Sequence, residues 1–317
     1  MPHATVIRTD DFILSRTEFV AGDRALLYAR VRAGELVRVV TGAYLSADIW
    51  NDLGADGQYR AIAVATQAVY PRELVFSHAS AAALWRLPRI GSWPVRAEVT
   101  GAAASGGRSN RSLKVHAVGR IDTTDLIDGL RVTTLARTTI DQIAKLPFGP
   151  GVALADAALR RTGHPLRGVP GTRMSKVDLR AELDQLPLTQ GRARAARTLE
   201  FARAEADRPG ESLSRVTMHQ AGIAPPQIQV ELFGASGRRY VVDFWWPEFR
   251  VFGEFDGKDK YSNPEFLRGR TPQQAILDEK DREDDLRAGD RGCARWGWTT
   301  AQSIPELRQR LTRAGVR

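Results

Sequence analysis

The stretch VVDFWWPEFRVFGEFDGKDKY, from Val241 to Tyr261, constrains this chain more than any other. Its β-branched and aromatic residues favour extended backbone, and Pro247–Arg250 reads as a turn between two strands. If that turn takes all four residues, Trp246 pairs with Val251 and Asp243 falls opposite Glu254; a period of two then puts Asp256 on the face of Glu254. Carboxylates opposed across a sheet destabilise it and raise one another's pKa unless something positive lies between them. A divalent cation that prefers oxygen ligands, magnesium or manganese, meets that need, and it can also polarise a phosphate and activate water. The alternative is a solvated hairpin face.

The flanking segments build the same region. Pro209–Ile223 opens on proline, carries Glu211 in its first turn and stops at Gly222, which predicts a helix. The strands QIQVELF, RRYVVDFWW and RVFGEFDG follow, joined by GASG and PEFR. Thr271–Asp290 spaces Ile276, Glu279, Glu283 and Leu286 at three- and four-residue intervals, so two glutamates share a helical packing stripe, with Lys280 and Arg282 beside it. CARWGW, Cys293–Trp298, reads as a returning strand. A charged surface helix is the plainer alternative.

At 317 residues the chain is long enough for two or three domains. No apolar run reaches the length of a membrane span, and the first residues lack the pattern of a secretory or organelle-targeting segment, so a cytoplasmic protein is expected. One cysteine, Cys293, and five scattered histidines leave neither an internal disulfide nor zinc-ligand spacing. Charge is uneven: residues 1–200 hold 27 Lys/Arg against 19 Asp/Glu, whereas residues 201–317 hold 19 against 18. A basic excess confined to the first part points to a polyanion, most simply nucleic acid.

Within that basic part, Asp11–Ser46 reads as helix, turn, helix and then a hairpin around Thr41-Gly42, the layout of a winged helix. Its second helix offers Arg24, Tyr28, Arg30 and Arg32 to a DNA major groove, and the hairpin offers Arg38 to the backbone. A small helical subdomain with solvated arginines is the other possibility. The segment from Tyr59 to Arg161 mixes the helix FSHASAAALWRLP, the strands VRAEVT, LKVHAV and GLRVTTL, and the helices Thr133–Leu146 and Val152–Arg161; its His78 and His116 read as structural. The Gly- and Pro-containing stretch Gly163–Gly191, with a short helix Ser175–Gln185, precedes a basic helix, Arg192–Ala206.

Two resemblances emerge from these residues. RTEFVAGDRALLYARVRAGELVRVVTGAYL, SHASAAALWRLP, VTTLARTTIDQIAK and ALADAALRR resemble the AbiEi-type antitoxins of actinobacteria, a winged helix followed by a mixed α/β domain, which implies promoter or operator DNA binding. ESLSRVTMHQAG, VDFWWPEFRVFGEFDG and EKDREDDLRAG resemble the PD-(D/E)xK nuclease superfamily, in particular domains related to very-short-patch repair endonucleases. That likeness implies metal ligation by Asp243 and Glu254, with Glu211 as an acid contributed by the preceding helix. Where the motif carries lysine, this chain has Asp256; Lys258, Lys260 or Lys280 supplies the charge instead, or the site binds metal and cuts nothing.

The expected fold is mixed α/β: a winged helix (1–55), an AbiEi-like α/β domain (56–162), a linker with a basic helix (163–208) and a restriction-endonuclease-like domain (209–317). The expected function is magnesium- or manganese-dependent hydrolysis of DNA, with Asp243, Glu254, Asp256, Lys258, Glu279 and Lys280 as the catalytic set. The contrasting expectation is a non-catalytic antitoxin and repressor whose other partner is a cognate toxin.

Overall fold

The computed structural model describes residues 6–20, 23–101, 109–117, 121, 123–161, 169–171, 174–187, 190–257 and 271–317. The chain is mixed α/β, and its contacts divide it into two compact units. The first comprises Thr5–Lys145 and Arg161–Ala196, the second Leu146–Arg160 and Arg197–Arg317. No helix among the described residues is long and apolar enough to cross a membrane.

The first unit begins with β1 (Ile13–Leu14), α1 (Ser15–Val20), α2 (Arg24–Arg32), β2 (Leu36–Val40) and β3 (Ala43–Ser46). The three strands form an antiparallel sheet ordered β1-β3-β2, and Leu27 of α2 packs with Leu36 and Tyr44. The two helices and the hairpin read from the sequence form, and β1 adds a third strand; the expected stop at Gly22 lies outside the described residues. Next come α3 (Ala47–Asp52), α4 (Ala55–Val69), β4 (Val75–Phe76), α5 (His78–Leu84), β5 (Ala97–Gly101), β6 (Leu113–Ala117), β7 (Thr124–Ile127), β8 (Leu130–Thr133) and α6 (Leu135–Ile143). A five-stranded mixed sheet runs β6-β5-β4-β8-β7. All seven residues of α5 are buried, because alanine and serine let the helix lie close to the strands. The adjoining Trp85 is fully buried and donates its indole N–H to the carbonyl of Thr133, 2.9 Å away.

After α6 the chain enters the second unit as α7 (Phe148–Arg160) and returns as α8 (Lys176–Gln185); the boundary then falls inside α9 (Arg192–Phe201). The sequence reading had grouped α7 with the preceding strands, but the helix packs on α10 (Pro209–Gln220). A charge pair explains that partnership. Asp156, on the otherwise apolar face of α7, accepts from Arg215 Nη1 at 2.8 Å and from the Arg203 N–H at 2.6 Å.

The rest of the second unit is β9 (Gln227–Phe233), β10 (Arg239–Trp246), β11 (Val251–Phe255), α11 (Pro272–Arg287), β12 (Gly292–Trp296), α12 (Trp298–Ala301) and α13 (Ile304–Arg313). The sheet order is β12-β11-β10-β9, with β11 and β12 parallel and the other pairs antiparallel. Trp246 pairs with Val251 as the four-residue turn requires, and Arg250 closes that turn in the left-handed region at φ 51°. Gly253 lets two tryptophans cover β11: a Cβ there would stand 2.7 Å from the Trp296 ring and 3.0 Å from that of Trp246.

Strand β10 changes face at Asp243. Val242 belongs to the cluster of Phe252 and Leu286, whereas Phe244 packs with Trp246 and Trp296 in the other core. The recorded β9–β10 pairs pass from Val242↔Val230 to Phe244↔Ile228, and Gln229, between them, has φ 51°. A non-glycine residue in the left-handed region within a strand releases its neighbours from strict alternation. The simple alternation of a strand is therefore broken in β10 at its acidic residue.

Candidate functional site

The candidate site lies where β10 and β11 part. Glu211 sits in the first turn of α10, buried, and accepts from the Asp207 N–H at 3.0 Å. Asp243 Oδ2 accepts the Phe255 N–H at 2.8 Å, so the side chain takes a backbone donor at the end of the ladder. Gln229 joins the two acids: its Nε2 lies 2.9 Å from Glu211 Oε2 and 3.3 Å from Asp243 Oδ1. Burial, reinforced by the charge of Asp243, pushes the Glu211 carboxyl up to about 8.

Glu254, also buried, points to α11. Arg282 clasps it with two hydrogen bonds, Nη1 to Oε2 at 3.0 Å and Nη2 to Oε1 at 2.8 Å, and Nη2 also donates to the Val241 carbonyl. Burial works against the charge of Arg282, but the bonded carboxylate of Glu254 outweighs it and raises its pKa. Arg295 is level with Glu254 on β12 and serves a second acidic group. Its Nη1 donates to Glu283 at 3.2 Å, its Nε lies 3.3 Å from Asp256 Oδ2, and its Nη2 contacts Glu279. Here too burial is outweighed, by Asp256, Glu279 and Glu254, and the pKa of Arg295 rises.

Four of the six carboxylates of this patch, Glu254, Asp256, Glu279 and Glu283, thus meet two arginines, and the sequence reading had anticipated neither arginine as the counter-charge. Lys280, expected to reach inward, is exposed on α11; Lys258 and Lys260 lie outside the described residues. The packing stripe of α11 is also shifted. Ile276 is 51% exposed, and the inward positions are Ala275, Glu279, Arg282, Glu283 and Leu286. The spacing was visible but its phase was not, because charged residues on α11 blur the apolar pattern. Gln229 was missed as well; in QIQVELF it reads as one polar residue of an alternating strand.

Among the described residues, no three His, Cys, Asp or Glu side chains stand grouped as a ready metal cage. The donor chemistry still fits one hard cation. Glu211 and Asp243 converge on a single atom, and magnesium commonly uses one or two carboxylates while keeping waters or taking substrate oxygens.

In the first unit, Arg24, Tyr28, Arg32 and Arg38 are exposed, with the Arg24 guanidinium 5.6 Å from the centre of the Tyr28 ring. Arg30 is half-buried and pairs with Glu35 at 3.2 Å.

His78 and His116 stack with ring centres 3.5 Å apart in the interior of this unit. Glu98 lies 3.3 Å from His116 Nε2 and 3.0 Å from Lys114 Nζ, and Asp141 lies 3.9 Å from His78 Nδ1. Burial, together with His116 and Lys145, pushes the His78 pKa down to about 2. A base depressed in the folded state gives stability that is fully present above its unfolded pKa, near 6.5, and is lost as pH falls. Between pH 6.5 and 5 the first unit is expected to lose about 2 kcal/mol. Thermal unfolding across that window measures the loss, and His78→Gln should flatten the profile; an equally steep decline in the variant would remove His78 as the cause.

No family model matches the chain. Over 146 residues, 46% of this chain, it is 27% identical to two proteins of Mycobacterium tuberculosis: "Uncharacterized protein MT2308" of strain CDC 1551 / Oshkosh and "Uncharacterized protein Rv2248" of strain ATCC 25618 / H37Rv. The match covers 50% of each, so the chain spans about half the length of these curated relatives.

Proposed function

We propose that this protein is a cytoplasmic DNA-binding protein whose second unit hydrolyses DNA phosphodiesters with magnesium or manganese. The observation that carries this reading is the convergence of Glu211 and Asp243 on one atom beside the buried Glu254, at the end of a mixed sheet. The layout of β9 to β12 with α10 and α11 supports the restriction-endonuclease-like description. That of β1 to β3 with α1 and α2 supports the winged helix.

Asp243 and Glu211 would hold the cation, with Glu254 beside them. When bound, the cation supplies Lewis-acid polarisation of the scissile phosphate and a more acidic water. Arg282 brings the positive charge that the sequence reading assigned to Lys258, Lys260 or Lys280, offsetting charge on the phosphate. Arg295 holds Asp256, Glu279 and Glu283 in place. Exposed arginines of α2 and the β2–β3 hairpin bind the duplex backbone.

One observation favours a second reading. Arg282 already neutralises Glu254 without a cation, as befits a non-catalytic domain in an antitoxin-type repressor whose other partner is a cognate toxin. Cleavage separates the two. The purified protein is expected to nick or cut DNA with magnesium or manganese and not with EDTA, and Asp243→Asn should abolish the activity. Failure to cut single-stranded, duplex, nicked and mismatched DNA with either metal leaves the repressor. Duplex binding is common to both readings, and Arg32→Ala combined with Arg38→Ala is expected to lower the salt-dependence slope by about two. An unchanged slope by fluorescence anisotropy would dismiss that surface.

A further inference from the structure

A cavity of about 480 Å³ lies in the first unit, where the turn of the β2–β3 hairpin meets the C-terminal end of α4 and the approach to β6. Its size falls within the usual span of small-molecule sites, about 300–1,000 Å³. Val40 from the hairpin and Val69 from α4, with Tyr70 and Pro71 beyond it, make most of the wall apolar. Thr41, Asn110, Arg111 and Ser112 supply the polar part.

Hydrogen bonds fix this wall from both sides. Arg16 of α1 donates to the carbonyls of Ala68 at 3.0 Å and Val69 at 3.3 Å, which closes the end of α4. Opposite, Asn110 Oδ1 accepts the Ser112 and Leu113 N–H groups, each at 2.9 Å, and the Asn110 carbonyl accepts from Arg96 at 3.1 Å. Asn110 Nδ2 then donates to the Tyr70 hydroxyl at 2.7 Å and joins the two sides. A wall held in this way loses little freedom when a ligand enters.

Two donors remain for that ligand. The Tyr70 hydroxyl accepts from Asn110, so its own proton is available. Arg111 lines the cavity next to Asn110, and among the described residues its guanidinium has no hydrogen bond or ion pair. No Asp or Glu stands among the lining residues, so a cation finds no counter-charge there, and the charge of Arg111 is left for an anion.

We propose that this cavity binds a small organic acid, with its apolar body against Val40 and Val69 and its carboxylate held by Arg111 and the Tyr70 hydroxyl. A guanidinium matches a carboxylate in paired hydrogen bonds, and the apolar wall adds the burial of the body. An uncharged apolar molecule would leave Arg111 without a partner, and a bare anion would gain nothing from the wall. The site shares no residue with the acidic patch of the second unit or with the arginines proposed for DNA contact, so it depends on neither.

The test is calorimetric titration of the full chain with 2-naphthoate and with decanoate, a rigid and a flexible acid. Their alcohols, 2-naphthalenemethanol and decanol, keep the body without the charge, and acetate keeps the charge without the body. Saturable heat is expected with at least one of the two acids, at least about tenfold tighter than with its alcohol, and none with acetate. Arg111→Gln should weaken the acid by a similar factor, and because Arg111 is exposed the variant keeps its fold. Arg72→Gln, the same change of charge outside this cavity, should leave binding intact. Methyl NMR should show shifts at Val40 and Val69. The site is overturned by absence of saturable heat with both acids, by alcohols or acetate that match the acids, or by unchanged affinity in Arg111→Gln. An equal loss in Arg72→Gln, or shifts that spare both valines, overturns it as well.

Discussion

Arg282→Ala is expected to destabilise the second unit by about 3–5 kcal/mol, the usual cost of stripping one partner from a buried ion pair. Glu254 is 4% exposed, and both of its oxygens accept from this guanidinium. Without Arg282 a buried carboxylate loses both of these donors. The Val241 carbonyl loses a donor as well. Arg282→Lys should recover less than half of the loss, because an ammonium cannot reproduce the paired hydrogen bonds of the fork. Replacing both partners, Glu254→Met with Arg282→Leu, removes the unpaired charge and should return stability close to that of the unaltered protein. Chemical denaturation of the unaltered protein, Glu254→Met, Arg282→Leu and the double variant forms a double-mutant cycle. A loss below about 1 kcal/mol for Arg282→Ala would show that the pair is no better than a surface contact.

Gly210→Val should cost about 3 kcal/mol or more, at the upper end of overpacking penalties. A Cβ at Gly210 would overlap the ring of Phe255. That ring has nowhere to go: it is 3% exposed and meets Trp298 edge-on at 5.2 Å. The start of α10 must then move off β11 and carry Glu211 with it. Because Asp243 contributes to the raised pKa of Glu211, separating them should bring that pKa down from about 8. Denaturation measures the first effect, and NMR titration of labelled glutamate the second. Gly210→Ala should show both at smaller size. Unaltered stability in the valine variant would mean that the close approach of α10 to β11 is not a constraint.

These variants mark what could be read before any coordinates. The hairpin around Pro247–Arg250 was legible because β-branched and aromatic runs on either side of a proline turn leave few options, and the pairing of Trp246 with Val251 follows from the turn length. Helices α10 and α11 were legible from proline, caps and spacing, as were α5, α6, β5 and β6 from their composition. Helix α4 was not picked out: Ala55–Val69 has small and polar residues around much of its surface, and its apolar face shows only against the strands it covers.

The sequence by itself determined that this chain is mixed α/β, that its excess positive charge lies in the first 200 residues, and that Asp243 and Glu254 fall on neighbouring strands, with Asp256 just past the end of the second, ahead of an acidic helix. These are local properties, set by propensity, period and turn length. Only the tertiary structure decided which charge meets which. Arg282 and Arg295 stand 28 and 39 residues away from Glu254 and Asp256 along the chain, and helix phase and parallel strand register bring them together. Gln229 joins Glu211 to Asp243 because the backbone of β9 enters the left-handed region there, which no polar–apolar alternation encodes. Likewise α7 belongs with α10 through Asp156 and Arg215, a buried pair separated by 59 residues. Pairings of this kind depend on the folded path of the backbone between distant segments, and a one-dimensional pattern carries no record of that path.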